Sequence, residues 1–476
     1  MTAISSMVQG LSEGTVEYDL IVVGSGFAGC MTTLNFLEHA NQLRKTAKVA
    51  LIEAGKEGER CGASRWTPAF FRLDKVNKFD SDFKNEMKVG GGGWLLILSK
   101  AHQLFRASGQ RSVLLSIAFS DYNSKGLADQ AYCEVLETEV PNTVQYLLNH
   151  GMKLHHHDEK NVYLGFHTDQ NFSSAEGGGY AIILALLEHI RSFPNVDIIW
   201  ETNAEQLLTH ENGTIYGVKV RKNSGLLSKI FGKQVMLACG GFEGNPEMLG
   251  RYVGPRAEQL GLIAPGLRYN TGFGLKMGLE VGAATAGSFH GLHCELVDTR
   301  SSKPEATIWG HSFGIVVNEL VSDGTRNIEK AHTHFTGTQS DFMMKETDRE
   351  YHCRFRYFEA DIRSLFATCE VIAYETWRDQ NQKAYFIADA PIMDRFRPGW
   401  VYDTTDLDPE KADTIEGLAD KLGLDPRELS KTIDEYNASI NDEEYNPLIL
   451  DGKRTNGLSP NKSNWAAPIE VPPFYG

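Results

Sequence analysis

A glycine-rich turn near the start of the chain has the spacing of a phosphate-binding loop. Residues 24–29 read Gly-Ser-Gly-Phe-Ala-Gly, which is the pattern G-x-G-x-x-G. In such a turn the first glycine permits a tight bend, the second lets backbone approach a pyrophosphate, and the third lets a helix pack closely on a strand. The phosphate charge then lies at a helix N-terminus, where free N–H groups and the helix dipole favour an anion. The pattern predicts dinucleotide binding through Gly24, Ser25, Gly26, Ala28 and Gly29.

The flanking segments predict the elements that such a turn requires. Tyr18–Val23 is an apolar run typical of a buried parallel strand, and Cys30–Leu37 is helix-like. A second predicted strand, Lys48–Glu53, ends in an acid 24 residues past Gly29. That distance is close to the roughly 20 residues expected for a carboxylate that binds ribose hydroxyls. A turn that only packs a helix would leave Glu53 unexplained, but the motif alone does not choose between FAD and NAD.

Later segments decide between the two cofactors by their order. They are Cys61–Thr67, Gly177–Gly179, Val196–Ala204, Val235–Asn245, Tyr269–Lys276 and Trp465–Gly476. In order and spacing they resemble the fumarate reductase/succinate dehydrogenase flavoprotein superfamily (FAD-dependent oxidoreductase 2), nearest its tricarballylate dehydrogenase-like branch. The resemblance implies an α/β fold: a Rossmann-like FAD-binding domain of the glutathione reductase type with an inserted α+β capping domain. It therefore makes the expected cofactor FAD.

The resemblance also implies further contacts to the cofactor. Cys61 and Ala63 replace the glycine and asparagine of the family's loop under the flavin. The same loop lacks the histidine to which succinate dehydrogenases attach FAD, so non-covalent binding is expected. Val196–Ala204 is predicted to form one strand. A hairpin is predicted after it at Asn212-Gly213, where the turn residues are typical. The further residues expected to bind FAD are Ala54, Ser64, Thr67, Gly178, Gly179, Ala204 and Gly240.

Catalytic residues are assigned by the resemblance only. His293 matches a histidine that binds a substrate carboxylate, with His290 as the alternative. Arg363 is the candidate for the proton-shuttling arginine, and Arg326 competes with it. A structural histidine and a surface salt-bridging arginine are the alternative interpretations of these residues.

The family resemblance also predicts the domain organisation. A flexible N-terminus covers 1–17, the FAD-binding domain 18–248 with a helical insertion at about 90–125, the capping domain 249–400, and a helix pair with a return segment 401–476. Two stretches, 90–122 and 319–353, fit the family poorly and are interpreted as unspliced intron sequence or lineage insertions. The family's C-terminal segment that closes the flavin site does not appear after the return sequence, so it is expected to be absent.

Composition excludes several other classes of protein. The net charge is −15 without a basic run, so a nucleic-acid partner is not expected. Seven scattered cysteines predict neither a disulfide framework nor a metal site, and His155–His157 is interpreted as a solvated turn. The start lacks a signal-peptide pattern and apolar runs are too short for a membrane span, so a cytoplasmic location is expected.

The expected function is that of an FAD-dependent oxidoreductase. It would transfer hydride between flavin N5 and a small polar metabolite, either a polycarboxylate or a sugar-derived compound. Fungal secondary metabolism such as kojic acid formation is one setting, and the electron acceptor is open. The alternative is a catalytically impaired FAD-binding protein or a truncated gene product. An NAD-dependent dehydrogenase is disfavoured, because only the first motif supports it.

Overall fold

A computed structural model describes most of the chain. The described residues are 17–59, 62–67, 69–71, 73–74, 76–78, 130–156, 173–287, 289–292, 294–303, 313–318, 373, 376–377, 382–396, 399, 401–446, 451–458, 462 and 464–476. They divide into two compact units, the first containing the described residues up to 292 and the second those from 294 onward. The predicted insertions at 90–122 and 319–353 lie outside the described residues.

The first unit is a mixture of strands and helices. Its strands are β1 Glu17–Tyr18, β2 Leu20–Val23, β3 Val49–Ile52, β4 Phe70–Phe71, β5 Leu154–His156, β6 Ser173–Ala175, β7 Val196–Ile199, β8 Thr202–Thr209, β9 Ile215–Lys222, β10 Leu227–Gly232 and β11 Val235–Leu237. Its helices are α1 Phe27–Gln42, α2 Gly62–Trp66, α3 Gln130–Asn149, α4 Gly178–Arg191, α5 Pro246–Tyr252 and α6 Phe273–Glu280, with 3-10 turns at Ala257–Gln259 and Pro265–Tyr269.

A parallel sheet forms the centre of this unit. Its strand order is β11-β2-β3-β7, with Leu20 opposite Val49 and Val49 opposite Val196. Every residue of β2 and β3 is buried, which explains why both strands are continuous apolar runs. Because β2 leads directly into α1 and β3 lies beside it, the carboxyl ends of both strands open at one edge of the sheet.

Helices cover one face of the parallel sheet. Leu34 of α1 and Ile183 of α4 are fully buried in one apolar cluster with the strands. Glu38 of α1 accepts hydrogen bonds from the Tyr146 hydroxyl at 2.7 Å and pairs with His150 Nε2 at 2.6 Å, which holds α3 against α1. The predicted helix after the glycine turn is therefore confirmed, and its ends extend beyond the predicted limits.

The predicted strand Val196–Ala204 is wrong as a single element. The chain leaves the parallel sheet after β7 and enters a second sheet, of order β1-β10-β9-β8, with β8. The break falls at Glu201, which has φ 52°, and the Glu201 and Thr202 N–H groups donate to the carbonyls of Gly55 and Glu53. The hairpin predicted at Asn212-Gly213 is confirmed, because β8 and β9 pair antiparallel across that turn.

The second unit has its own apolar core. Its strands are β12 Ile315–Val317, β13 Tyr385–Ile387, β14 Lys411–Ala412 and β15 Phe474–Tyr475, and its helices are α7 Ala390–Met393, α8 Val401–Thr404, α9 Ile415–Leu422 and α10 Pro426–Ser439. The fully buried Tyr436 donates to the Ala467 carbonyl at 2.9 Å and thereby joins α10 to the C-terminal segment. The last strand, β15, pairs with β14 inside this unit.

The two units do not have the predicted domain limits. Residues 249–292 were expected in the capping domain, yet they belong to the first compact unit. The division into compact units does not show which unit binds FAD. The limits of the FAD-binding domain and of the capping domain therefore stay predictions.

Candidate functional site

A cavity of about 490 Å³ lies in the first unit at the carboxyl edge of the parallel sheet. Four parts of the chain line it: the glycine-rich turn, the end of β3 with the start of α2, the start of β8 with the end of β11 and the residues that follow β11, and the segment 269–289. Ligands bind at this edge in open α/β sheets, so the position is the expected one for a cofactor.

Two glycines of the turn cannot be replaced without a clash. Gly24 has φ 104°, and a Cβ there would lie 2.3 Å from the Ala238 carbonyl oxygen. A Cβ on Gly29 would lie 1.8 Å from the Gly24 carbonyl oxygen. Gly24 therefore lets Ala238, the residue after β11, approach the turn closely. Gly29 lets α1 begin directly against the turn.

The start of α1 faces the cavity with unused donors. Gly26 is its N-cap and provides no side-chain cap, while Gly24–Ala28 line the cavity. The Ser64 hydroxyl accepts from the Phe27 N–H at 3.1 Å and so links α2 to this helix end. The other N–H groups of the first turn remain available to an anion, which the helix dipole also favours.

Glu53 brings a buried carboxylate to the same cavity. Its side chain is 5% exposed, and Oε2 accepts from the Ser25 N–H at 3.0 Å and the Ser25 hydroxyl at 2.6 Å. Oε1 accepts from the Gly55 N–H at 2.8 Å. A carboxylate has about four acceptor sites, so Glu53 retains capacity for a further donor such as a ribose hydroxyl.

A thiol also borders the cavity. Burial, assisted by the nearby charge of Glu53, raises the pKa of Cys239 to about 11. The thiol is thus held in its protonated form at neutral pH.

Most of the predicted cofactor residues converge on the cavity. Those that line it are Gly24, Ser25, Gly26, Ala28, Glu53, Ala54, Ser64, Ala204 and Gly240. Gly29, Thr67, Gly178 and Gly179 lie behind this lining. Gly179 donates to the Thr67 carbonyl at 2.8 Å, and a Cβ on Gly179 would lie 2.0 Å from the Ser64 carbonyl oxygen. These two glycines and Thr67 therefore pack α4 against α2.

The segment 269–289 is the part of the cavity wall that sequence reasoning missed. Asn270, Phe273, Leu279 and Phe289 all line the cavity, although the family resemblance had placed this segment in the capping domain. The Asn-Thr-Gly sequence at 270–272 was the available signal, but nothing local to it shows which cavity it faces.

The structure describes one of the four candidate catalytic residues. His293, Arg363 and Arg326 lie outside the described residues. His290 is described and exposed, and it does not line the cavity.

Two kinds of feature are absent from the described ranges. Within them, no helix combines the length and the apolar character needed to cross a membrane. The same ranges hold no grouping of three or more His, Cys, Asp or Glu side chains suited to a metal ion.

Two curated proteins resemble the chain in sequence. The vinyl phenol reductase of Lactiplantibacillus plantarum is 23% identical over 273 residues, which cover 57% of this chain and 47% of that protein. The digoxin reductase of Eggerthella lenta is 23% identical over 321 residues, which cover 63% of this chain and 50% of that protein. The chain thus spans about half the length of the curated relatives it matches.

Solved flavoproteins share the fold. The open conformation of a flavocytochrome c3 fumarate reductase matches with a TM-score of 0.59 at 18% identity, covering 97% of this chain and 66% of that chain. The 3-ketosteroid delta1-dehydrogenase of Sterolibacterium denitrificans matches with a TM-score of 0.60 at 15% identity, covering 97% of this chain and 87% of that chain. At these identities the likeness shows a mixed α/β flavoprotein fold and no more.

A family model decides the relationship. The model described as FAD binding domain matches residues 88–474, a range that begins after the glycine-rich turn and therefore supports FAD independently of that motif. The cavity, the turn and this match agree, and the chain belongs to the FAD binding domain family, with FAD as its cofactor.

Proposed function

We propose that the cavity binds FAD non-covalently and that the protein is an oxidoreductase transferring hydride between flavin N5 and a small polar metabolite. The observation that carries this proposal is the convergence of the glycine-rich turn, Glu53 and Ala204 on one cavity in a chain of the FAD binding domain family.

The residues present fit the cofactor chemically. The uncapped start of α1 suits the pyrophosphate, because backbone N–H groups there lack partners along the helix. Glu53 suits the ribose of the adenosine, because an ionised carboxylate accepts from hydroxyl groups. Backbone near Ala204 would meet the adenine end. FAD, when bound, supplies the hydride chemistry, while the protein supplies orientation and exclusion of water.

The substrate is proposed from the family resemblance. His293 and Arg363, or Arg326 in its place, would hold a carboxylate or a polyol, which favours a polycarboxylate or a sugar-derived compound. Kojic acid formation in fungal secondary metabolism is one such reaction. The names of the two curated relatives, a vinyl phenol reductase and a digoxin reductase, support a redox reaction of a small organic molecule.

Flavin binding is tested with one disruptive and one neutral glycine substitution. The purified protein is expected to show a flavin absorption spectrum and to release FAD on denaturation. Gly29→Ala should lose the flavin, because its Cβ would meet the Gly24 carbonyl oxygen at 1.8 Å. Gly261→Ala is the matched control, because a Cβ there meets nothing within 4 Å. Flavin retained by Gly29→Ala would show that the turn does not hold the cofactor.

Turnover is tested separately from flavin binding. The flavin-loaded protein is mixed without oxygen with polycarboxylates, sugar-derived acids and polyols, vinyl phenols and digoxin, both oxidised and after chemical reduction. Bleaching or recovery of the flavin absorption with a polar metabolite supports the proposed function. Reaction with vinyl phenol or digoxin alone would show that the substrate is apolar and would contradict the proposed polar metabolite. Bound flavin that reacts with none of these compounds would favour a catalytically impaired FAD-binding protein.

A further inference from the structure

Asn270 is a buried polar side chain on the wall of the cavity. It follows the 3-10 turn Pro265–Tyr269, is 7% exposed and lines the cavity. Its backbone is fully engaged, because its N–H donates to the Leu267 carbonyl at 2.9 Å and its carbonyl accepts from Gly244 at 2.8 Å. Its side-chain amide makes no hydrogen bond within the described residues, and its nitrogen and oxygen are open to the cavity rather than sealed inside the protein.

Two glycines make room for this amide, because neither has a side chain that would meet it. A Cβ on Gly62 would lie 3.0 Å from Asn270 Oδ1, and a Cβ on Gly240 would lie 3.0 Å from both Oδ1 and Nδ2. Gly62 has φ 45° and Gly240 has φ 72°, a backbone conformation that favours glycine at both positions. The amide therefore lies between two backbone turns that bring no side chain to cover it.

Water in the cavity can satisfy this amide in the empty protein, and a ligand with suitable polar atoms can take the place of that water. The side chain of Asn270 offers two donors and one acceptor. Gly62 opens α2, and Ser64 of α2 accepts from Phe27 at the start of α1, where the pyrophosphate is proposed to bind. A pyrophosphate bound at this helix end would bring phosphate and ribityl oxygens, and such oxygens accept hydrogen bonds from an amide.

We infer that Asn270 is a cofactor-contacting residue whose amide donates to an oxygen of the pyrophosphate–ribityl stretch of FAD. The inference rests on the proposed placement of FAD in this cavity and adds a contact that lies on the segment 269–289. It predicts that Asn270 strengthens FAD binding and adds little to the stability of the FAD-free protein.

The test compares Asn270→Ala and Asn270→Asp with Asn245→Ala as a matched control. Asn245 is a nearby asparagine with its bonds satisfied, because it caps α5 at Met248 N at 3.2 Å and donates to the Thr271 carbonyl at 2.8 Å. FAD-free protein of each variant is examined for its unfolding temperature, and its FAD Kd is measured by quenching of flavin fluorescence.

Asn270→Ala is expected to leave the unfolding temperature of the FAD-free protein unchanged or higher, and to raise the FAD Kd about 10-fold through loss of one hydrogen bond to a charged group. Asn270→Asp should raise the FAD Kd further, because a carboxylate cannot donate a hydrogen bond and repels phosphate. Asn245→Ala should show the reverse, with a lower unfolding temperature and an unchanged FAD Kd.

An unchanged FAD Kd in Asn270→Ala, or tighter binding by Asn270→Asp than by Asn270→Ala, would overturn the inference. These outcomes are distinct from a failure of the proposed function. Wild-type protein that binds no FAD contradicts the proposed site itself, and wild-type protein that binds FAD without turnover contradicts only the proposed reaction.

Discussion

Ser25 occupies a variable position of the glycine-rich turn, yet its side chain has a defined partner. Its hydroxyl and its N–H both donate to Glu53 Oε2, and the two residues are almost fully buried. Hydrogen bonds to an ionised group are stronger than bonds between neutral groups. Ser25 therefore fixes the orientation of the carboxylate that is proposed to bind the ribose.

Replacing Ser25 by alanine is expected to weaken FAD binding. The variant removes the 2.6 Å bond to Glu53 and leaves the two backbone donors in place. Loss of a bond to a charged group costs about 1.5 kcal/mol, which corresponds to roughly a 10-fold rise in Kd. Titration of FAD-free protein with FAD, and with ADP to isolate the adenosine half, measures the change.

Ser192→Ala is the control for this experiment. The Ser192 hydroxyl donates to the His189 carbonyl at 2.6 Å on the exposed end of α4, away from the cavity lining. Its FAD Kd should match the wild-type value. An ADP Kd unaffected by Ser25→Ala would show that the hydroxyl does not act through the ribose-binding carboxylate.

At the residue scale, sequence spacing predicted the carboxylate but not its surroundings. Glu53 could be found because its distance from Gly29 is a property of one strand–turn–helix–strand unit. The bond from Ser25 and the position of Asn270 depend on how separate segments meet in space. No local sequence pattern encodes contacts between distant segments, so these two features could be identified only from the structure.

Among the elements, the predicted helix pair is confirmed as α9 and α10, and local signals in the sequence account for its ends. Gly423 ends α9 with φ 71°, and Asp425 begins α10 ahead of Pro426 at the first helical position. Each of these signals acts within a few residues. The break between β7 and β8 had no comparable signal, because it is fixed by hydrogen bonds to the carbonyls of Glu53 and Gly55 in the segment that follows β3.

Asp425→Ala is expected to destabilise the second unit. The Asp425 carboxylate accepts from the N–H groups of Arg427 at 2.8 Å and Glu428 at 3.3 Å, which would otherwise lack partners at the start of α10. Loss of such a cap costs about 0.5–2 kcal/mol in the free energy of unfolding. Urea unfolding followed by circular dichroism measures the loss.

The matched control for the cap is Asp434→Ala, on the exposed side of the same helix. Alanine has the higher helix propensity, so this variant should be as stable as the wild type or slightly more stable. Equal losses in the two variants would show that charge, rather than capping, accounts for the effect of Asp425.

Across the whole molecule, one buried lysine links stability to pH. Lys462 is 4% exposed in the second unit, and its ammonium donates to the Gly314 carbonyl at 3.1 Å. Burial lowers the pKa of Lys462 to about 7, against a weaker opposing attraction from Asp451. Between about pH 7 and the pKa of a lysine in the unfolded chain, the unfolded state binds the proton more strongly than the folded state.

Stability of the second unit is therefore expected to increase as the pH rises from about 7 to 8.5, a window that ends near the ordinary pKa of unfolded cysteines. The slope contributed by one proton is at most about 1.4 kcal/mol per pH unit. Lys462→Met should show a flatter dependence over the same window in calorimetric unfolding. A wild-type stability that falls with pH in this window would contradict the assigned protonation of Lys462.

The thiol of Cys239 has a consequence for the chemical stability of the proposed flavin site. A reduced flavin that meets dioxygen yields hydrogen peroxide, and a thiolate beside such a source would be oxidised to a sulfenic acid. With its pKa raised to about 11, Cys239 stays a protonated thiol at neutral pH and is a poor target for peroxide. Burial of Cys239 and the charge of Glu53 are therefore expected to protect this thiol from peroxide in the proposed flavin site.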